Sequence, residues 1–298
     1  MEKRDFWRAE AQAAEVLAKR KIAALPVDPF GIAAGEGIVC ETLKSSGVSG
    51  CLCGAGNTFT IFYNDSINSE GFRRFTVAHE LGHYFLEGHY KYIFSDGNSR
   101  HVSDSGYSSD DPIEREADAF AAALLMPPEP FKTACARVGP GFKTIETLSE
   151  KCVSSLTATA IRYADLSDDP IAIIGSSDNR VQFAFLSAPL KQRRNLIWPK
   201  KNSGVPEGTA THSFNRDPKN VTRSRRTISR ALMDVWFDCG GTAYVSEEVV
   251  GLGSSYGLTL TILVADPQPD PEYEEDSEED NFENMLPSDR WRQPRRDE

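Results

Sequence analysis

The pentapeptide His79-Glu80-Leu81-Gly82-His83 constrains this chain more than any other feature. Histidines four residues apart lie one turn apart on a helix, so both imidazoles reach one point. Glu80, beside the first of them, can bring its carboxylate to a water held at that point. The surrounding residues supply the helix. At about 100° per residue, Phe72, Thr76, His79, His83 and Leu86 share one face, while Val77, Leu81, Tyr84 and Phe85 occupy the other. A helix apolar on both sides is buried in its domain. Two buried histidines on one face need partners, and a metal ion serves both.

A zinc site of this kind needs a third protein ligand, and two residues qualify. His89 lies ten residues after His79, the spacing of the H-E-x-x-H-x-x-G-x-x-H arrangement. That arrangement turns at a glycine, where this chain has Leu86, and glycine arrives only at Gly88. The rival is Glu114, on a helix predicted over 112–126 between the cap Asp110 or Asp111 and the stop Pro127-Pro128. Ile113, Ala117, Phe120, Ala121, Leu124 and Leu125 define its buried face. In projection Glu114 falls between Ala121 and Leu125 and points inward, whereas Arg115 and Glu116 point away. An inward carboxylate needs a counter-charge, and zinc provides one. Asp118, one turn on, is placed to hydrogen-bond the back of a ligating histidine.

Other elements are coarser. Helical periodicity covers 2–24, and a shorter helix is expected near 30–36. Gly37–Leu43, Val48–Cys53 and Thr58–Tyr63 read as a small antiparallel sheet. Thr58–Tyr63 suits either a sheet edge that accepts an extended substrate or an internal core strand. Residues 92–111 read as a loop. Two helical patterns, 143–152 and 155–165, form a structural hairpin or a helix-turn-helix pair. Beyond Asp169-Pro170, strands are expected at 171–174, 181–186, 243–250 and 258–264, with a helix over 227–237.

Hydrophobic residues make up 40% of the chain, enough for a core without disulfides. The first residues hold no apolar h-region, so no secretory signal is expected, and no apolar run is long enough to span a membrane. The six cysteines then read as reduced thiols in a cytoplasmic protein. Cys51 and Cys53 have a spacing that can ligate metal, but a buried strand accounts for them. Residues 266–298 hold 13 acidic and 4 basic side chains, and disorder is expected there. Residues 191–230 hold 11 basic and 2 acidic ones. These opposite blocks suggest a tail that masks a basic surface from an acidic partner or DNA.

Two separated stretches carry a family resemblance. Arg73-Arg74-Phe75-Thr76-Val77-Ala78-His79-Glu80-Leu81-Gly82-His83 and the run from Glu114-Arg115-Glu116-Ala117-Asp118 to Leu125-Met126-Pro127 resemble the ImmA/IrrE metallopeptidases. The resemblance spans roughly residues 5–165. It implies a gluzincin-like site, with His79, His83 and Glu114 on one zinc ion and Glu80 as general base; another divalent ion suits the same donors. Tyr84, His89, His101 and Tyr107 are near enough in sequence to act as an oxyanion donor.

The implied fold is α+β: a zincin-like peptidase domain over 1–135, a helical extension over 136–168, a second small α+β domain over 169–265, possessing a regulatory role by analogy, and the acidic tail. The implied function is cleavage of a helix-turn-helix transcriptional repressor that derepresses stress-response or mobile-element genes. The competing reading is a non-proteolytic metal-binding regulator or DNA-binding protein on the same scaffold. Glu80 speaks against it, since a purely structural zinc needs no base.

Overall fold

Local punctuation sets the first half of the fold. The computed structural model describes residues 3–44, 48–56, 58–66, 69–94, 100–103, 111–253 and 257–266. Helix α1 (Lys3–Lys19) is followed by α2 (Pro29–Gly35), whose cap Asp28 accepts from the Phe30 amide at 3.1 Å. The chain then forms strands β1 (Val39–Leu43), β2 (Gly50–Ala55) and β3 (Thr58–Asn64). Helix α3 (Glu70–Phe85) starts at Ser69, whose hydroxyl accepts from the Phe72 amide. Helix α4 (His89–Ile93) and strand β4 (Arg100–Ser103) occupy the region read as a loop.

Helix α5 (Pro112–Leu125) carries its start in sequence. Asp111 accepts from the Ile113 amide at 2.9 Å, and Pro112 sits in the first turn, where no amide is required. Val77, Leu81, Phe120, Ala121 and Leu124 are fully buried between the helices, and the Phe85 and Phe120 rings stack at 6.0 Å.

The first sheet has the strand order β1-β3-β2-β4. Strand β2 is antiparallel to both β3 and β4, as expected of neighbouring strands. Strand β1, however, runs parallel to β3, with Val39 opposite Thr60 and Leu43 opposite Asn64. The sheet is therefore mixed. Thr58–Tyr63 belongs to an internal strand, which removes the edge reading for that segment.

Helices α6 (Pro128–Cys135), α7 (Phe142–Cys152) and α8 (Leu156–Leu166) connect to the second sheet. Residues Ala158 through Ala164 of α8 are all buried, so this helix has no open face for a nucleic-acid groove. Its position explains why: α8 packs on the next two strands.

Those strands are β5 (Ile171–Ser177) and β6 (Arg180–Leu186). Short helices α9 (Ala188–Lys191), α10 (Ala210–Asn215) and α11 (Pro218–Thr222) punctuate the basic segment. Then come β7 (Arg226–Leu232), α12 (Met233–Phe237), β8 (Tyr244–Gly251) and β9 (Thr259–Ala265). All five strands pair antiparallel in the order β6-β5-β9-β8-β7. Ile171 and Ile173 face the core shared with the first half, while Ala172 and Ile174 face a second core with Val245, Trp236 and Phe237. A strand buried on both faces loses the polar alternation that marks a one-sided sheet.

The helix expected over 227–237 is corrected here. Its first part is β7, paired residue by residue with β8 from Arg226–Val250 to Leu232–Tyr244, and only Met233–Phe237 is helical. Ladder hydrogen bonds to β8 override a helix-like spacing of apolar residues. Residues 1–266 form one compact unit. The acidic tail from residue 267 onward lies outside the described residues, as does Tyr107.

Candidate metal centre

Two helices build the centre. Helical spacing on α3 sets the His79 and His83 rings edge to face, with centroids 4.8 Å apart. Their Nε2 atoms lie 3.0 Å apart. From α5, the two carboxylate oxygens of Glu114 reach one histidine each: Oε2 is 3.3 Å from His79 Nε2, and Oε1 is 3.3 Å from His83 Nε2. Both histidines are buried, and the Glu114 side chain is 13% exposed. The three ligand atoms lie within 4.8 Å of one another, and these groups can hold one metal ion.

The donor chemistry fits such an ion. His79 Nδ1 is 2.9 Å from Asp118 Oδ1, and a carboxylate only accepts, so Nδ1 carries the proton and donates. The opposite nitrogen, Nε2, is then the one directed to the centre. Burial works against a charged imidazole at His79, but the Asp118 and Glu114 carboxylates outweigh it and push the group up to about 10. The centre thus favours positive charge. A metal ion held by these donors would satisfy that preference.

Glu80 is completely buried, on the side of α3 that meets β2. A Cβ added at Gly50 would lie 2.4 Å from Thr76 Cγ2 and 2.8 Å from Glu80 Oε1. Gly50 therefore lets the sheet backbone approach the carboxylate directly. Sequence reasoning missed this residue. The available signal was a glycine inside a strand pattern, which often marks a close approach.

His89, the rival third ligand, takes another place. It is buried, with Nδ1 3.2 Å from His83 Nδ1 and Nε2 3.1 Å from Glu116 Oε2. Both of its ring nitrogens face protein groups, and it stands behind His83 rather than beside Glu114. Burial pushes its pKa down, against the pull of Glu116. The expectation that Glu116 points away is corrected: this side chain is buried and meets α4, because α4 folds back over that face of α5.

The remaining oxyanion candidates are dispersed. The Tyr84 hydroxyl meets Glu36 Oε2 at 3.4 Å, and its ring packs edge to face on Phe59. His101 belongs to β4, where its backbone pairs with Leu52; its side chain lies outside the described residues, as does all of Tyr107. The Cys51 and Cys53 sulfurs are 3.5 Å apart on β2. Among the described residues, the group suited to metal is His79, His83 and Glu114.

Comparison with known proteins places this geometry. Residues 46–162 match the model of the IrrE N-terminal-like domain, Peptidase M78. In fold the chain is similar to a Mycobacterium tuberculosis transcriptional regulator, with a TM-score of 0.57 and 15% sequence identity over 89% of this chain and 77% of that one. No curated protein matches it. Residues 46–162 contain both histidines and Glu114, and their match supports assigning this part of the chain to the ImmA/IrrE family.

Proposed function

We propose that this protein is a zinc-dependent endopeptidase whose substrate is a helix-turn-helix transcriptional repressor. The observation that carries the reading is the convergence of His79, His83 and Glu114 beside the buried Glu80. The family supports a peptide bond as the target. A regulator among the similar folds supports a substrate involved in transcription.

His79, His83 and Glu114 would hold the ion. Zinc supplies Lewis-acid polarisation of the scissile carbonyl and acidifies the attacking water. Glu80 takes the proton from that water as its oxygen attacks the carbonyl carbon. The same carboxylic acid then returns the proton to the amide nitrogen as the carbon–nitrogen bond breaks. Asp118 keeps the His79 ring in one tautomer throughout, and Gly50 keeps the Glu80 carboxylate against β2.

No disulfide links the six cysteines, which supports a reducing compartment, the cytoplasm. No helix of the described residues is long and apolar enough to cross a membrane. We assign the second sheet, within residues 169–265, to regulation of the peptidase half. The test is direct: zinc-loaded protein is incubated with a repressor encoded beside its gene, with Glu80→Gln as control. Two defined fragments with the natural chain and none with the variant support the reading. Intact repressor in both, with zinc tightly bound, favours the non-proteolytic regulator.

A further inference from the structure

We propose that His89 and Glu116 are positioning residues that fix the tautomer and ring orientation of His83. The inference rests on the metal-binding reading of the centre and adds a hydrogen-bonded chain running through α3, α4 and α5. His79 already has such a partner in Asp118. On the Nδ1 side of His83 stands a second imidazole, that of His89.

The proton inventory follows from the end of the chain. Glu116 is a carboxylate and only accepts, so His89 donates to it through Nε2–H across 3.1 Å. A neutral His89 that donates through Nε2 has its lone pair on Nδ1. That nitrogen is 3.2 Å from His83 Nδ1, which must therefore carry the proton and donate. His83 Nε2 is left with its lone pair directed at the centre, 3.3 Å from Glu114 Oε1 and 3.0 Å from His79 Nε2. One buried carboxylate thus specifies, through two rings, which nitrogen of His83 is directed at the centre.

Geometry makes the chain stiff. His83, His89 and Glu116 are 0%, 1% and 9% exposed, so water does not compete for these bonds. The turn that returns the chain is also built for it. Gly88 adopts φ of +92°, which an L side chain rarely takes, and the His89 amide bonds back to Leu86 O at 3.2 Å. That reversal brings His89 under the ring of His83 only six residues earlier, with ring centroids 5.2 Å apart. A residue that merely filled space there would need no acid behind it.

The test measures zinc affinity of the full chain by competition with a chromophoric chelator. Hydrogen-bonded partners behind a ligating histidine typically contribute about 10- to 100-fold in metal affinity. His89→Phe and Glu116→Ala are expected to weaken zinc by that amount. Glu116→Gln should restore most of it, because its amide oxygen still accepts from His89 Nε2–H. Nitrogen-15 spectra of the zinc-loaded natural chain should show protonated Nδ1 on His83 and protonated Nε2 on His89.

Affinities within twofold of the natural chain in both truncating variants overturn the proposal and leave the metal reading intact. A natural chain that binds no zinc overturns both. If the truncating variants fail to fold, the spectra decide: either ring in the opposite tautomer rejects the chain of donors.

Discussion

Two buried polar clusters, one in each half of the molecule, look alike by composition and differ in the balance of donors and acceptors. In the second sheet, the fully buried Glu247 accepts from the Ala210 amide at 3.1 Å, the Thr211 amide at 2.8 Å and the Thr211 hydroxyl at 2.6 Å. Thr211 and Thr261 share a further hydroxyl contact at 2.7 Å. One acceptor meets several donors, and the cluster closes on itself. At the centre in the first half, two imidazole nitrogens and both oxygens of one carboxylate converge instead. Convergent nitrogen and carboxylate donors of that kind can hold one metal ion. Buried acids and hydroxyls alone do not make such a site.

The sharpest way to probe that contrast is to change Glu80, which stands outside the group of three that could hold a metal ion. Glu80→Gln preserves size and removes the base. Peptide hydrolysis should fall by on the order of 10²–10⁴-fold, the range typical of a lost general base. Zinc content after dialysis should equal that of the natural chain. Cleavage at the natural rate would reject Glu80 as the base.

Next comes an exchange of roles between the two carboxylates. Glu114→Ala should strip zinc from the dialysed protein far more than His89→Ala or Glu116→Ala, because it removes a ligand and not a partner of one. Glu247→Ala should leave zinc stoichiometry untouched and cost about 3 kcal/mol in urea unfolding, since two buried donors and one half-buried donor lose their acceptor. Saturating zinc at about 100 times its dissociation constant adds roughly 2.7 kcal/mol to a binding chain. That increment should appear in Glu247→Ala and vanish in Glu114→Ala. Zinc stabilisation in both variants alike would remove Glu114 from the ligand set.

Gly50→Ala asks for less. The new methyl collides with Thr76 and Glu80, and the carboxylate must yield. A misplacement of about 1 Å can cost on the order of 10²-fold in rate, so hydrolysis should drop between about 10- and 100-fold. Zinc affinity should stay within about twofold, because the atoms nearest the new methyl belong to Thr76, Glu80 and Phe62. Unchanged hydrolysis would mean that Gly50 serves only the packing of β2.

How much of this was legible follows from which interactions are local. Ser69, Asp111-Pro112 and Pro127-Pro128 mark helix ends by caps and missing amides, and both helices of the centre fall inside those marks. Helical spacing then brought His79 and His83 to one point and turned Glu114 toward them. The wheel failed at Glu116 because it measures direction from one axis only. It holds no information on α4, which folds back through Gly88 to cover that face. Strand β7 was missed for a related reason. Ile228, Ala231, Leu232, Val235 and Trp236 recur as in a helix, yet the ladder to β8 decides their state. Strand direction was equally hidden: nothing in Val39–Leu43 itself says that it runs parallel to β3. Strand β4 covers only four residues, Arg100–Ser103, with no alternating pattern, and its pairing with β2 creates it.

The smallest expected effect separates neighbours in sequence from neighbours in the site. Tyr84 follows His83 directly, and proximity alone made it a candidate oxyanion donor. On a helix, however, consecutive residues are rotated by about 100°, so the side chain after a ligand faces a different direction. Here that direction leads to α2 and β3, where the hydroxyl meets Glu36 and the ring packs on Phe59. Burial and the Glu36 carboxylate both raise the Tyr84 pKa, which keeps the phenol neutral in its contact with that acid. Removing the hydroxyl deletes one long, largely exposed hydrogen bond, a loss of about 0.5–1.5 kcal/mol at most in stability. Tyr84→Phe should therefore hydrolyse a peptide within about twofold of the natural rate, with zinc affinity unchanged. A drop of tenfold or more in kcat with KM preserved would show that the hydroxyl swings from Glu36 to the reacting carbonyl, and would return Tyr84 to the catalytic residues.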